Sequence, residues 1–114
     1  MFGIFENLFG KKLYNTLSSE EFEAAVKVNK GIVILDVRSK SEFDRDKIPN
    51  ALNIDIMNPN FKNRVANLDD KKTFYVYCQR GGRSARACRI LTKLGFENVN
   101  NLKGGLANYS GKII

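Results

Sequence analysis

The stretch between Thr73 and Gly95 limits the fold of this chain more than any other. The β-branched and aromatic run from Thr73 to Tyr77 predicts a buried strand that ends directly before Cys78. From Ser84 the apolar residues recur at helical spacing, and Gly95 predicts the end of that helix. Cys78 is therefore expected in a tight turn between the carboxyl end of a strand and the N-terminus of a helix. In open α/β sheets, ligands bind at that edge.

The residues of this turn predict an anion-binding cradle around a reactive thiol. Unpaired N–H groups of the loop and the helix start favour a thiolate and an anionic ligand. Gly81 and Gly82 allow the backbone angles of a tight cradle, and Arg80 and Arg83 add positive charge. We therefore expect Cys78 to have a lowered pKa and to be nucleophilic. The alternative is a structural cysteine, for which a glycine pair with flanking arginines is uncommon.

Three segments, in a fixed order along the chain, carry a family resemblance. They are Ile34–Phe43 continued by Ile48–Ile54, the loop Cys78–Ser84, and Leu102–Leu106. Together they resemble the signatures of the rhodanese (thiosulfate sulfurtransferase) family in its small single-domain form. The joint match is highly specific and spans most of the chain.

The resemblance implies a sulfurtransferase that works by double displacement. The Cys78 thiolate would take the outer sulfur of thiosulfate or a similar donor, and the resulting persulfide would pass it to a thiol or to cyanide. Arg80 and Arg83 would attract the anionic donor and stabilise the leaving charge. No cofactor is implied. The substrate and persulfide-binding loop comprises Gln79, Arg80, Gly81, Gly82, Arg83 and Ser84.

Three positions depart from the family pattern. Lys47 stands where many members carry a histidine, Asn50 where a glycine is usual, and Tyr109 near a frequent tryptophan. None of these positions performs the chemistry in the family, so the departures bear on substrate details and not on the assignment.

Other functions of a cysteine loop remain open at this point. Only four residues separate Cys78 from Arg83, whereas protein tyrosine phosphatases require five, so phosphatase activity is disfavoured. The alternatives are a persulfide carrier in a protein relay, an oxyanion (arsenate-type) reductase and a non-catalytic docking module. Cys88 lies on the predicted core stripe of the helix and is expected to be a packing residue. A disulfide with Cys78 would need the two α-carbons within about 7 Å.

Composition excludes several kinds of chemistry. The 114 residues contain no histidine and two cysteines, which removes His-based catalysis and leaves no metal site to predict. Two cysteines also indicate a reducing compartment, so a cytoplasmic location is expected. The net charge is +7, but the lysines are scattered and nucleic-acid binding is not predicted. An acidic protein partner that docks on the arginine-rich rim, or a small anionic donor, fits the charge better.

The order of the predicted elements indicates one α/β domain. Strands expected at residues 13–17, 32–35, 51–54, 73–77 and 98–102 alternate with helices, which predicts a parallel sheet of about five strands with helices on both faces. Capping boxes are expected at Ser18 and Ser39, a helix cap at Asn58-Pro59, and a terminal helix after Lys103.

Two further groups complete the predicted organisation. Residues 1–13 are predicted to be a short amphipathic segment ahead of a domain at 14–114, too short to span a membrane. Asp36, Arg38 and Glu42 are interpreted as a structural ion-pair network that supports the sheet and the cysteine loop.

Overall fold

The computed structural model describes residues 13–28 and 30–114, and its centre is a sheet of five strands. The strands are β1 (Asn15–Leu17), β2 (Ile32–Asp36), β3 (Leu52–Asn53), β4 (Thr73–Tyr77) and β5 (Val99–Leu102). They lie in the order β1-β5-β4-β2-β3, and every neighbouring pair is parallel. The predicted parallel sheet of about five strands is confirmed. Apart from Leu13, the predicted N-terminal segment lies outside the described residues.

In the described part of the chain, four α-helices connect the strands, and one 3₁₀ helix follows the last strand. They are α1 (Ser19–Val28), α2 (Lys40–Arg45), α3 (Phe61–Ala66), α4 (Gly82–Lys93) and the 3₁₀ helix Leu106–Asn108. Both predicted capping boxes are present: the Glu21 N–H donates to Ser18 Oγ at 3.1 Å, and the Glu42 N–H donates to Ser39 Oγ at 3.2 Å. Among the described residues, no helix has the length and apolar character to cross a membrane.

Helices cover both faces of the sheet, as predicted, and each face has its own core. Because successive side chains of a strand point to opposite faces, β4 contributes to both. Phe74 and Val76 pack with residues of α3 and α4, whereas Tyr77 packs with Phe22 of α1. Each fully buried large side chain contributes about 1.5–3 kcal/mol to folding. The central strand is therefore enclosed on both sides, which explains its continuous apolar sequence.

The start of α3 differs from the prediction. The helix begins at Phe61 after Asn60, and Asn58-Pro59 does not form its cap and first turn. The Asn58 side chain instead accepts the Asn60 N–H at 2.8 Å, and Asp55 Oδ1 accepts the Met57 N–H at 2.9 Å. These side-chain bonds close local turns that compete with the helix and delay its start.

The predicted terminal helix is a three-residue 3₁₀ turn. The chain becomes extended at Tyr109, whose ring packs edge-to-face on Phe22 with the centroids 6.0 Å apart. The next residue donates its N–H to Ser19 Oγ at 2.7 Å. Contacts with α1 therefore hold the segment after Asn108 in an extended path, where an α-helix cannot continue.

Candidate functional site

Cys78 lies directly after β4, and its sulfur is enclosed by donors from the loop that follows. Only 1% of the residue is exposed. The Gly81 N–H donates to Sγ at 3.0 Å and the Ser84 N–H at 3.3 Å. The Ser84 hydroxyl lies 3.3 Å from Sγ and 3.1 Å from the Gly81 carbonyl oxygen, so it can donate to either atom. The loop thus surrounds the sulfur with backbone and side-chain hydrogens.

These contacts decide the protonation of the thiol. Burial raises the pKa of Cys78, but hydrogen bonds from the Ser84 side chain and N–H, and from the Gly81 and Arg80 N–H groups, outweigh it. The net pKa of Cys78 is lowered, as the sequence predicts. A sulfur surrounded by N–H donors is stabilised as an anion even though water is largely excluded from it.

Glycine allows the sharp turn that directs these N–H groups inward. Gly81 has a φ of 106°, a conformation that L side chains rarely adopt, and it precedes the first residue of α4. The Ala85 N–H donates to the Gly81 carbonyl at 3.1 Å, so the helical hydrogen bonds begin at Gly81. The helix therefore begins at Gly82, two residues before the predicted start at Ser84.

The segment after β5 forms the opposite wall of the loop. The Leu106 N–H donates to the Cys78 carbonyl at 2.9 Å, and the Ala107 N–H donates to the Gln79 carbonyl at 3.0 Å. Gly105 allows this approach, because a Cβ there would lie 2.5 Å from the Gln79 carbonyl carbon and oxygen. From the sequence, this glycine pair is part of the family signature and the expected start of a helix, and the contact with Gln79 was not predicted. Two consecutive glycines after a buried strand were the available signal for a close backbone contact.

Arg38 supports the loop from the sheet side and is completely buried. Its guanidinium makes three hydrogen bonds of 2.8–3.1 Å to the Asp36 carboxylate. It also donates to Asp46 Oδ1 at 3.1 Å, to the Asp46 carbonyl, and to Gln79 Oε1 at 3.2 Å. Burial lowers the pKa of Arg38, but the two aspartates reverse this effect and raise it. The sequence analysis did not identify Asp46.

Glu42 contacts the loop at its other end, through Arg83. The two side chains form a bidentate pair with N–O distances of 2.8 and 3.0 Å. The hydrogen bond from Arg83 lowers the pKa of Glu42 to about 2, against a smaller opposing effect of burial, and the pKa of Arg83 is raised in return. The expected ion pair between Asp36 and Arg38 is present, but Glu42 does not belong to it and pairs with Arg83 instead.

This pairing separates the two loop arginines. The guanidinium of Arg83 is occupied by Glu42, whereas Arg80 is exposed and forms no ion pair within the described part of the chain. Arg80 is thus the loop arginine whose charge is free to meet an anion from solvent.

Cys88 lies in the core and not in the loop. It is completely buried on the inner side of α4, in one apolar cluster with Ala87 and Leu91, and the two cysteines form no disulfide with each other. This agrees with the packing role expected for it. Within residues 13–28 and 30–114, no three acidic, cysteine or histidine side chains are grouped to hold a metal ion.

Comparison with known proteins identifies the family. The model of the rhodanese-like domain matches residues 18–112, so the chain belongs to that family. It is 35% identical over 106 residues to the uncharacterized protein YqhL of Bacillus subtilis, a match that covers 93% of this chain and 80% of YqhL. It is 27% identical over 94 residues to a sulfurtransferase of Allochromatium vinosum, with 82% of this chain and 86% of that protein covered.

A solved structure supports the same family. The rhodanese-related protein of Thermoplasma volcanium superposes with a TM-score of 0.74 and is 26% identical in sequence. The superposition covers 89% of this chain and 98% of that one. Membership of the family supports sulfur transfer as the general chemistry of the Cys78 loop.

Proposed function

We propose that the protein is a sulfurtransferase that carries a sulfane sulfur as a persulfide on Cys78, with thiosulfate or a similar anion as donor and a thiol or cyanide as acceptor. The observation that carries this proposal is the set of donors around Sγ, which stabilise a thiolate inside the protein. Family membership and the A. vinosum sulfurtransferase support sulfur transfer in general.

The proposed loading step uses the hydrogen-bond donors and the exposed arginine of the loop. The Cys78 thiolate attacks the outer sulfur of thiosulfate, a new S–S bond forms, and the S–S bond of thiosulfate breaks. Sulfite leaves with the electron pair of that bond, so charge and sulfur balance. The exposed guanidinium of Arg80 attracts the thiosulfate dianion to the loop. The loop N–H groups stabilise the negative charge of the persulfide.

The unloading step returns the thiolate. The persulfide first takes a proton from water, and an acceptor thiolate then attacks its outer sulfur. The Cys78 S–S bond breaks, its electron pair returns to Sγ, and the outer sulfur leaves on the acceptor as a new persulfide. The persulfide places the reactive sulfur about 2 Å beyond Sγ. This extension matters because Sγ itself is almost completely enclosed.

The test is the intact mass of the protein after incubation with thiosulfate. We expect a gain of one sulfur atom, lost on addition of cyanide. Cys78→Ser should show no gain, and the matched control Cys88→Ser should show the same gain as the unaltered chain. A gain that persists in Cys78→Ser would contradict the mechanism.

A persulfide carrier in a protein relay is the second candidate. It is favoured by the enclosed sulfur, only 1% exposed, next to an exposed and unpaired arginine at the loop. A carrier should gain no sulfur from thiosulfate but should gain one from a persulfide donor such as glutathione persulfide. A direct sulfurtransferase gains sulfur from both.

A further inference from the structure

A groove of about 270 Å³ lies between α4 and the turn before α3. Its apolar lining includes Met57, Pro59 and Ile90. Met57 is 69% exposed, so its side chain is accessible to a partner at this groove. Exposed methionine adapts its shape to different apolar partners and is frequent at binding surfaces.

The charges at this groove have one sign. Among the described residues, Lys62 and Arg86 are the charged residues that line it, and both are exposed. Neither forms an ion pair in the part of the chain that the structure describes, unlike Arg83, which is neutralised by Glu42. The nearest acidic side chain along the chain, Asp55, lines another cavity, and its charge acts on Arg83. Two unneutralised cations therefore border an apolar floor.

The groove is continuous with the cysteine loop along α4. Arg83, Arg86 and Ile90 follow one another at helical spacings of three and four residues, so they lie along one face of the helix. The first of these residues belongs to the loop around Cys78, and the other two line the groove. A chain lying in the groove therefore approaches the sulfur along the same face.

We propose that this groove docks an acidic segment of the protein that accepts sulfur from Cys78, with an apolar side chain of that segment between Met57 and Ile90. The inference rests on the proposed function and names the partner class for it. Carboxylates of the segment pair with Lys62 and Arg86 at the rim, and its cysteine reaches the persulfide. Complementary charge of this kind mainly accelerates encounter and fixes orientation.

Charge also argues against a second copy of the chain as the occupant. Each copy carries a net charge of +7, so two copies repel one another, and a basic groove gains nothing from a basic partner. An acidic partner is not repelled in this way and is attracted to the basic groove.

The experiment compares two synthetic peptide thiols as sulfur acceptors. The full chain is first loaded with thiosulfate, and loss of the extra sulfur is followed by mass. One peptide is Leu-Glu-Glu-Glu followed by four glycines and a cysteine, and the other has lysines in place of the glutamates. At low salt we expect the acidic peptide to react faster by roughly tenfold. The ratio should fall toward one as salt shortens the screening length.

Matched variants locate the effect. Lys62→Glu/Arg86→Glu should reverse the peptide preference while leaving loading by thiosulfate unchanged. Lys71→Glu/Lys72→Glu makes the same change in net charge at the amino end of β4, opposite the loop, and should keep the preference. Met57→Ser should slow the acidic peptide and leave a peptide with serine in place of its leucine unaffected.

The outcomes are distinct. Failure to load any sulfur refutes the proposed function. Normal loading with equal rates for both peptides, or with a preference that survives Lys62→Glu/Arg86→Glu, overturns the groove proposal alone. Unchanged peptide rates together with loss of single-stranded RNA binding in that variant would overturn it in favour of a nucleic acid.

Discussion

Arg38 and Arg83 both stabilise the loop around Cys78, but in different environments. Arg38 is completely buried and bonds to Asp36, Asp46 and Gln79. The side chain of Arg83 is 35% exposed and bonds to Glu42, whose side chain is 21% exposed. The first arginine contacts the beginning of the loop from the sheet, and the second belongs to the end of the loop at the start of α4.

The difference shows that the two ends of the loop are held for different purposes, one for folding stability and the other for control of charge. A buried charge cannot lose its partners without a large penalty, so Arg38 fixes Gln79 as part of folding. A partly exposed pair is screened by water and contributes little to stability. The Glu42–Arg83 pair therefore acts chiefly on charge, because it neutralises one of the two loop arginines.

The largest expected effect is that of Arg38→Met. It leaves the Asp36 carboxylate buried and unpaired, so we expect the free energy of unfolding to fall by about 3–5 kcal/mol. Arg83→Met should lower it by about 1 kcal/mol or less. Urea-induced unfolding measures both values.

Two further variants test whether the loss in Arg38→Met comes from an unpaired buried charge and not from a general failure to fold. Asp36→Asn added to Arg38→Met should recover part of the loss, since no unpaired charge remains. Arg45→Met removes an exposed arginine that forms no ion pair with any described residue, and should be nearly neutral. Equal losses in the free energy of unfolding for Arg38→Met and Arg83→Met would contradict the claim that only the buried arginine is essential for folding.

The second effect concerns Gln79, where the contact from Arg38 meets the loop. Gly105→Ala places a Cβ 2.5 Å from the Gln79 carbonyl and requires a φ of +67°. We expect a loss of about 1–3 kcal/mol in stability. We also expect persulfide formation to slow by roughly tenfold or more, because misplacement of a reacting group is costly.

Gly31→Ala is the matched control for that variant. Gly31 has a φ of +64°, and a Cβ there meets no atom within 4 Å, so the variant has the same backbone strain without the close contact. Its stability should fall by about 1–2 kcal/mol, with persulfide formation retained. Equal effects of the two alanines would show that the close contact at Gln79 is unimportant.

The smallest effect is the pH dependence of the Glu42–Arg83 pair. The pKa of Glu42 is lowered from 4.5 to about 2 in the folded chain. Its contribution to stability is therefore complete above pH 4.5 and is lost as the pH falls through about 2. Glu42→Gln should be less stable than the unaltered chain near neutral pH by about 1 kcal/mol or less, and the gap should close in acid.

Unfolding at several pH values checks this directly. Asp44→Asn serves as the control, because the Lys40–Asp44 pair is far more exposed and is expected to contribute very little. A gap between Glu42→Gln and the unaltered chain that stays constant down to pH 2 would contradict the assignment.

The sequence was sufficient wherever the determining residues are close along the chain. The strand, the glycine turn and the helix around Cys78 follow from twenty or so consecutive residues, and the capping boxes need only a spacing of three. The parallel direction of the strands follows from the alternation of strands and helices. These local patterns also carried the family resemblance that the rhodanese-like domain match confirms.

The partners of Arg38 and Arg83 depend on distant residues. Glu42 and Arg83 are 41 positions apart, and so are Arg38 and Gln79. Nothing in their spacing predicts that Glu42 takes Arg83 in place of Arg38. The wall formed by Gly105 likewise exists only because β5 lies beside β4 in the sheet.

Asn50 illustrates a departure that the structure explains. The family resemblance places a glycine there, and Asn50 has a φ of 69°, in the left-handed region. Asparagine tolerates that conformation better than most residues other than glycine. The sequence marks the substitution, but only the backbone angle shows why asparagine is acceptable.

The most direct test of the central claim is the pH dependence of Cys78 alkylation by iodoacetamide, measured in the Cys88→Ser background. Because the donors around Sγ outweigh burial, the midpoint should lie below the ordinary thiol pKa of 9.0, and Ser84→Ala should raise it. A midpoint at or above 9.0, unchanged by Ser84→Ala, would contradict the view that the loop holds Cys78 as a thiolate.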